Sequence, residues 1–210
     1  MKNIITTFYI FSFLLLSTNF VFSEDLRDFK VGSSIELVPE RGYVNLKCAE
    51  GQKDISKWND FKECKKNPNN DYYNITFEYD ERFAVTEEFE GTQVSGHPVL
   101  INIAVDASGT LQEININTDP KAPFYFRKQS HLLWLRVYSK YGSQGWNCKD
   151  KKPEKDHIKI GKKYINNSCV KPVDNKLITI ESQFFFVGDK SNRDNLVSKS
   201  YLQIKLNNEV

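Results

Sequence analysis

The strongest pattern along the chain is the alternation of apolar and polar residues with a period of two. In segment 73–79, apolar or aromatic side chains occupy every second position and are separated by Asn74, Thr76 and Glu78. This spacing places the apolar side chains on one face of a strand and the polar ones on the other. The pattern therefore predicts a β-strand that is buried on one face.

Two further pairs of alternating segments predict β-hairpins. The first pair is 99–105 and 114–116, which flank a polar turn at 106–109 that ends in glycine. The second pair is 178–186 and 202–206, with a polar connection between them. Weaker alternation predicts strands at three more segments: 35–38, 43–48 and 164–170.

One helix is predicted between Asp119 and Gly142. Asp119 suits the N-cap, Pro120 lacks the N–H that the first turn leaves unbonded, and Gly142 suits the residue that ends many helices. Spacings of three and four place one set of side chains on a single helix face: Phe126, Ser130, Leu133, Val137 and Tyr141.

A shorter helical turn is predicted over residues 54–63. Its apolar residues recur at every third position, a spacing shared by Ile55, Trp58, Phe61 and Cys64. Together with the strands and the longer helix, this predicts an α+β fold, in which a mainly antiparallel β-sheet packs against one principal α-helix. No composition shift marks a linker, so residues 24–210 are expected to form a single domain.

The first 23 residues have the features of a secretory signal peptide. Lys2 precedes an apolar run over 4–16, and Val21 and Ser23 stand at the positions that a signal peptidase reads, so cleavage is expected before Glu24. A retained membrane anchor is the alternative, but the apolar run is shorter than the ~20 residues that span a bilayer. We therefore expect a periplasmic or extracellular protein with no integral membrane segment after signal removal.

The four cysteines all follow the predicted signal peptide. An even number of cysteines in an exported chain favours disulfides. Pairing neighbours in sequence gives Cys48–Cys64 and Cys148–Cys169, each worth about 3 kcal/mol in the chain-entropy model, although the two other connectivities remain open. Cys48 would share a strand face with Val44 and Leu46 and point into the core. No cysteine pair has zinc-site spacing, so no metal or cofactor is predicted.

Composition excludes several classes of protein. The formal net charge is only +2 and the mean hydropathy is −0.53. Nucleic-acid binding requires a clustered basic surface, so it is not expected from so neutral a chain. With 40% hydrophobic residues, the chain also falls outside the range typical of disordered proteins.

Candidate catalytic groups are few. His97, His131 and His157 have no second metal ligand at a recognised spacing, and no nucleophile-elbow motif occurs. The one enzymatic alternative is a hydrolase with a dispersed site that uses His97 with Glu87 or Glu88 as acid or base.

Aromatic residues and lysines provide the stronger candidate site. Aromatic side chains crowd the predicted helix and its exit, more of them than one helix face can bury. Either the helix is covered on two sides and they belong to the core, or some of them line a groove that binds a partner or an apolar ligand. A lysine-rich segment follows between Cys148 and Cys169. Exposed aromatic residues often anchor interfaces, and lysines at the rim adjust the association rate. The predicted binding residues are Trp134, Tyr138, Trp146, Lys151, Lys152 and Lys155.

These observations favour an exported, disulfide-stabilised, non-enzymatic binding module or cell-envelope accessory protein. Its partner would be another protein or a small apolar or anionic ligand. The alternatives are the hydrolase described above and a structural or inhibitory secreted protein.

Overall fold

The computed structural model describes residues 25–80, 82 and 92–207. The predicted signal peptide therefore lies outside the described residues. The described strands are β1 (Tyr43–Cys48), β2 (Tyr73–Tyr79), β3 (Gln93–Val94), β4 (His97–Val105), β5 (Leu111–Thr118), β6 (Asn147–Asp150), β7 (His157–Ile158), β8 (Ile165–Val173), β9 (Lys176–Val187) and β10 (Leu196–Leu206). The helices are α1 (Phe124–Arg127) and α2 (Leu133–Tyr141), with 3-10 turns at Ile35–Leu37, Trp58–Glu63, Ser130–Leu132 and Arg193–Asn195.

All ten strands belong to one antiparallel sheet. The order across the sheet is β1-β2-β4-β5-β10-β9-β8-β6, while β3 pairs with β4 and β7 pairs with β9. The first and second halves of the chain thus form two meanders, which meet where β5 pairs with β10. The mostly antiparallel sheet and its one main helix agree with the predicted class.

Rows of buried isoleucines cross the centre of the sheet and fix its register. One row places the following residues directly opposite one another on five neighbouring strands: Ile75, Ile103, Ile114, Ile204 and Ile178. All five are fully or almost fully buried. A slip of one residue would turn these side chains to the opposite, polar face, so burial of this row specifies the pairing.

The strand predictions are confirmed for β2 and for the hairpins β4–β5 and β9–β10, whereas two details were wrong. Segment 35–38 is not a strand, because the Ser34 side chain accepts a bond from the Glu36 amide and closes a 3-10 turn. In β1, the register shifts at Asn45, which has a positive φ of 55°. This bulge leaves Val44 only half-buried, whereas Cys48 is buried as predicted.

The predicted long helix is interrupted. Asp119 does not cap it, because its side chain accepts a bond from the Lys121 amide in a turn, and helical structure begins only at α1. Near Ser130 the backbone forms hydrogen bonds with side chains of β10. The Ser200 hydroxyl donates to the Ser130 carbonyl, and the His131 amide donates to the Ser198 hydroxyl. The predicted end at Gly142 is confirmed.

Of the shorter helical turn predicted over residues 54–63, Trp58–Glu63 forms a 3-10 helix, whose three residues per turn explain the three-residue period. Both predicted disulfides are present, Cys48–Cys64 and Cys148–Cys169. Within the described chain, no helix has the length and apolar character needed to cross a membrane.

Candidate functional site

Three of the predicted binding residues form a continuous stack of rings. Trp134 and Tyr138 lie one turn apart on α2, and the turn after Gly142 brings Trp146 back onto Tyr138. The ring centroids of Trp134 and Tyr138 are 5.1 Å apart in an edge-to-face arrangement, and those of Tyr138 and Trp146 are 4.9 Å apart and stacked. We call Trp134, Tyr138 and Trp146 the aromatic ladder.

Several contacts with neighbouring groups of the protein hold the rings of the aromatic ladder in position. The Trp146 indole Nε1 donates to the Gly142 carbonyl at 2.8 Å. The Tyr138 hydroxyl lies 3.7 Å from the sulfur of Cys148 and 3.7 Å from that of Cys169. The Lys171 ammonium lies 5.8 Å from the centre of the Trp146 ring, close enough for a cation–π contact. The rings are therefore held in place by contacts within the protein itself.

The ladder is also partly open to solvent. All three of its side chains are half-buried, and the adjoining residues 142–145 are exposed. Partial burial raises the pKa of the Tyr138 phenol, which stays neutral at physiological pH. Rigid, amphipathic rings lose little conformational entropy when they are covered, and they present both stacking surfaces and hydrogen-bonding edges.

The predicted lysines lie at the other end of β6. Lys151, Lys152 and Lys155 are all exposed. Their loop is anchored by His157, whose ring stacks on Phe185 at 4.1 Å, on the sheet face opposite the one that carries the ladder. The structure thus brings the three aromatic residues together, but it places the lysines beyond the end of β6 rather than around the rings.

Comparison with known proteins identifies no relative. Neither the protein-family models, nor the curated proteins, nor the solved structures match this chain.

Of the residues predicted for the hydrolase alternative, the structure describes only His97. Burial, and to a smaller extent the charge of Arg136, lower the pKa of the His97 ring, so it is neutral at physiological pH. Glu87 and Glu88 lie outside the described residues.

A serine–histidine contact that the sequence did not indicate joins the 3-10 turn before α2 to the sheet. The His131 ring Nδ1 lies 3.1 Å from the Ser198 hydroxyl, and the ring stacks on Phe184 at 3.9 Å. Burial, and then the charge of Lys163, lower the pKa of His131 to about 4. Because the same hydroxyl accepts the His131 backbone amide, we interpret the pair as an attachment between helix and sheet. The two residues are 67 positions apart, and no sequence motif links them.

One group of side chains has the chemistry of a metal site. Glu154, Asp156 and His157 each offer a ligand atom, and these atoms lie within 4.8 Å of one another. The Tyr164 hydroxyl contacts His157 Nδ1 at 3.0 Å and leaves Nε2 available. Carboxylates on exposed loops often approach one another in this way without an ion, and both acidic residues here are exposed.

The sheet face opposite the helix is polar and carries shallow grooves. One groove, of about 250 Å³, is lined by residues that include Asn117, Glu181, Lys199 and Tyr201. The Tyr201 hydroxyl donates to the Asn115 side chain at 2.6 Å, and burial followed by nearby Glu113 and Glu181 raises its pKa to about 12. Acidic and basic groups are mixed along this face, so it favours neither anions nor cations.

Proposed function

We propose that the protein is an exported, non-enzymatic binding protein that contacts a partner protein through the aromatic ladder. The observation that carries this proposal is the combination of three stacked rings, their fixed supports and their partial exposure. Interface hot spots are enriched in tryptophan and tyrosine and are held in well-packed settings. Such rings in the interior of a domain would be fully covered.

Export is supported by the two disulfides, which persist in oxidising compartments. The fold also engages the chain from Asp25 onward, because both carboxylate oxygens of Asp25 accept bonds from Lys176 at 2.7 and 2.8 Å and the Val31 amide donates to Asp25 at 2.8 Å. N-terminal sequencing of exported protein is expected to begin at Glu24 or within a few residues. Full-length protein in the membrane fraction would contradict this expectation.

Site-specific photocrosslinking tests the binding surface in the cells that make the protein. A photoreactive phenylalanine analogue at Tyr138 is expected to give a discrete adduct with a partner protein. The same analogue at Tyr125 is the matched control, because Tyr125 is an equally aromatic side chain, 57% exposed, on α1. Trp146→Ala, combined with the analogue at Tyr138, should reduce the adduct several-fold because one ring of the ladder is lost.

Two results would overturn this proposal. One is an adduct of equal yield from both positions, or from Tyr125 alone. The other is an enzymatic activity that is lost on His97→Ala while the variant stays folded, as the hydrolase alternative requires.

A further inference from the structure

We infer that the partner binds as an additional β-strand along the outer edge of β6, and that this strand is acidic. The inference rests on the proposed function, since it specifies what the aromatic ladder recognises. It is carried by the difference between the two edges of the sheet, by the direction of the β6 backbone groups and by the charge beside them.

The edge formed by β1 is closed by its own chain. The Cys48 amide donates to the Lys53 carbonyl at 2.8 Å, and the Ile55 amide donates to the Leu46 carbonyl at 3.0 Å. The bulge at Asn45 further disrupts this edge. Bulges and covering segments are common protections against the addition of a foreign strand.

The edge formed by β6 has no such cover within the described part of the chain. β6 pairs with β8 on one side, and no described segment pairs with its other side. All four of its residues are exposed. The two end strands of the sheet are therefore unequal: among the described residues, β1 is covered by its own chain and β6 is available to another strand.

The register shows which backbone groups of β6 face outward. The Lys151 amide donates to the Asn166 carbonyl at 2.7 Å, and Cys148 lies directly opposite Cys169. In an antiparallel pair, bonded and non-bonded positions alternate, so Lys149 and Lys151 bond to β8. The amide and carbonyl groups of Cys148 and Asp150 then point away from the sheet and can pair with an added strand.

The outer edge of β6 lies next to the aromatic ladder. Trp146 immediately precedes β6, and the Cys148 sulfur lies 3.7 Å from the Tyr138 hydroxyl. Because side chains alternate between faces, every second residue of an added strand would lie on the ladder side of the sheet. Main-chain bonds would then provide affinity, and the ladder would select the side chains, as in strand-addition recognition generally.

The charge next to this edge favours an acidic occupant. Residues 149–163 contain seven lysines and three acidic residues. Of these, Lys149, Lys151, Lys152 and Lys155 are exposed. Pairing with a second copy of β6 would bring lysines of like charge together, which is unfavourable across a strand pair. An acidic segment of a different protein is the complementary occupant.

Synthetic peptides test this inference on the intact, disulfide-bonded protein. The probe is an eight-residue peptide of alternating glutamate and phenylalanine, and its control carries methyl groups on alternate backbone nitrogens. Binding is measured by NMR titration of the backbone amides. We expect the unmodified peptide to shift the amides of Cys148 and Asp150, and the methylated peptide to bind at least tenfold more weakly.

A protein variant provides the reciprocal measurement. Asp150→Pro removes one outward amide and leaves the bonds to β8 in place, which edge strands tolerate. It should weaken peptide binding about tenfold, whereas the matched substitution Asp150→Asn should not. If the proline variant fails to fold, the methylated peptide still tests the unaltered protein.

Equal binding of the methylated and unmodified peptides would overturn strand addition, because charge alone would then explain the affinity. Equal binding of a peptide with lysine in place of glutamate would overturn the acidic preference. If neither peptide binds while the Tyr138 crosslink is still found, strand addition fails and the proposed function stands. If the analogue at Tyr138 gives no crosslink and the peptide still binds to Trp146→Ala, the aromatic ladder is not the binding surface and the proposed function fails instead.

Discussion

Two aromatic clusters, each associated with a disulfide, differ in what covers them. In the first half of the chain, the four rings of Phe29, Tyr43, Trp58 and Phe77 lie with every pair of centroids 5.0 to 5.5 Å apart. All four are at most 6% exposed, and we call them the sealed cluster. In the second half, the three rings of the aromatic ladder remain half-buried.

The tryptophans of the two clusters lie differently relative to their disulfide loops. Trp58 lies inside the loop closed by Cys48 and Cys64, so the crosslink holds it against the sheet, where its indole Nε1 donates to the Pro39 carbonyl at 3.2 Å. Trp146 lies just outside the loop closed by Cys148 and Cys169. The same residue types thus form a core in one place and a surface in the other.

Tyrosine chemistry shows the same contrast. Burial raises the pKa of Tyr43 far above its ordinary value, and the Asp28 carboxylate, which accepts the phenol hydrogen bond at 2.6 Å, raises it further. Burial alone raises the pKa of Tyr138, and less strongly. The phenol of Tyr43 is thus buried and hydrogen-bonded within the fold, while that of Tyr138 is only partly covered.

The largest expected effect separates the two tryptophans. Trp58→Ala should lower the free energy of unfolding by about 3–5 kcal/mol, because it empties a fully packed site and leaves the Pro39 carbonyl unpaired. Trp146→Ala should lower it by only about 1 kcal/mol, since its ring is half-exposed. Urea unfolding followed by circular dichroism measures both values. Equal losses would show that the ladder is part of the core.

The two disulfides should differ in their contribution to stability by less than the two tryptophans do. The two bonds span similar separations of 16 and 21 residues, so the chain-entropy contribution is about 3 kcal/mol for each. Replacing Cys48 and Cys64 by alanine also leaves a cavity, because both are buried, whereas Cys148 is exposed.

We therefore expect the Cys48→Ala, Cys64→Ala double variant to be less stable than the Cys148→Ala, Cys169→Ala double variant by about 1–2 kcal/mol. Denaturant unfolding of the two variants under identical conditions gives the difference directly. A reversed order would mean that the second disulfide supports more of the core than its exposure indicates.

The sequence allowed the local parts of this fold to be predicted, but not its long-range parts. The alternation in β2, β4 and β9 depends on neighbouring residues and survives in the structure. The break near Ser130 could not be predicted, because it is caused by Ser198 and Ser200 on a strand about 70 residues away. The bulge at Asn45 likewise depends on pairing with β2.

The candidate site was likewise predictable only in its local part. The ladder could be anticipated, since Trp134 and Tyr138 share a helix face and Gly142 ends the helix close to Trp146. The position of the lysines could not, because it depends on His157 packing against Phe185 across the sheet. The open edge of β6 also becomes visible only when the strand order is known.

Acid should affect α2, beside the aromatic ladder, before it affects β1 and β2, which carry Tyr43 and Phe77 of the sealed cluster. Residues 25–80 contain no histidine, whereas His131 lies in the 3-10 turn just before α2; His97 lies in β4 of the first half, outside the strands compared. The folded protein holds the pKa of His131 at about 4, below its ordinary 6.5, so the unfolded chain binds more protons between these values. The resulting stability is complete above about pH 6.5 and is lost as the pH falls toward 4.

Between pH 7 and pH 5, the expected loss in the free energy of unfolding is on the order of 2 kcal/mol. Hydrogen exchange, corrected for intrinsic rates at pH 7 and pH 5, should show reduced protection in α2 and little change in β1 and β2. In His131→Gln, which no longer titrates, the pH dependence in α2 should flatten even though the variant is less stable overall. An equal loss of protection in β1 would show that the two halves unfold as one unit, and the contrast between the sealed cluster and the ladder would then be one of exposure alone.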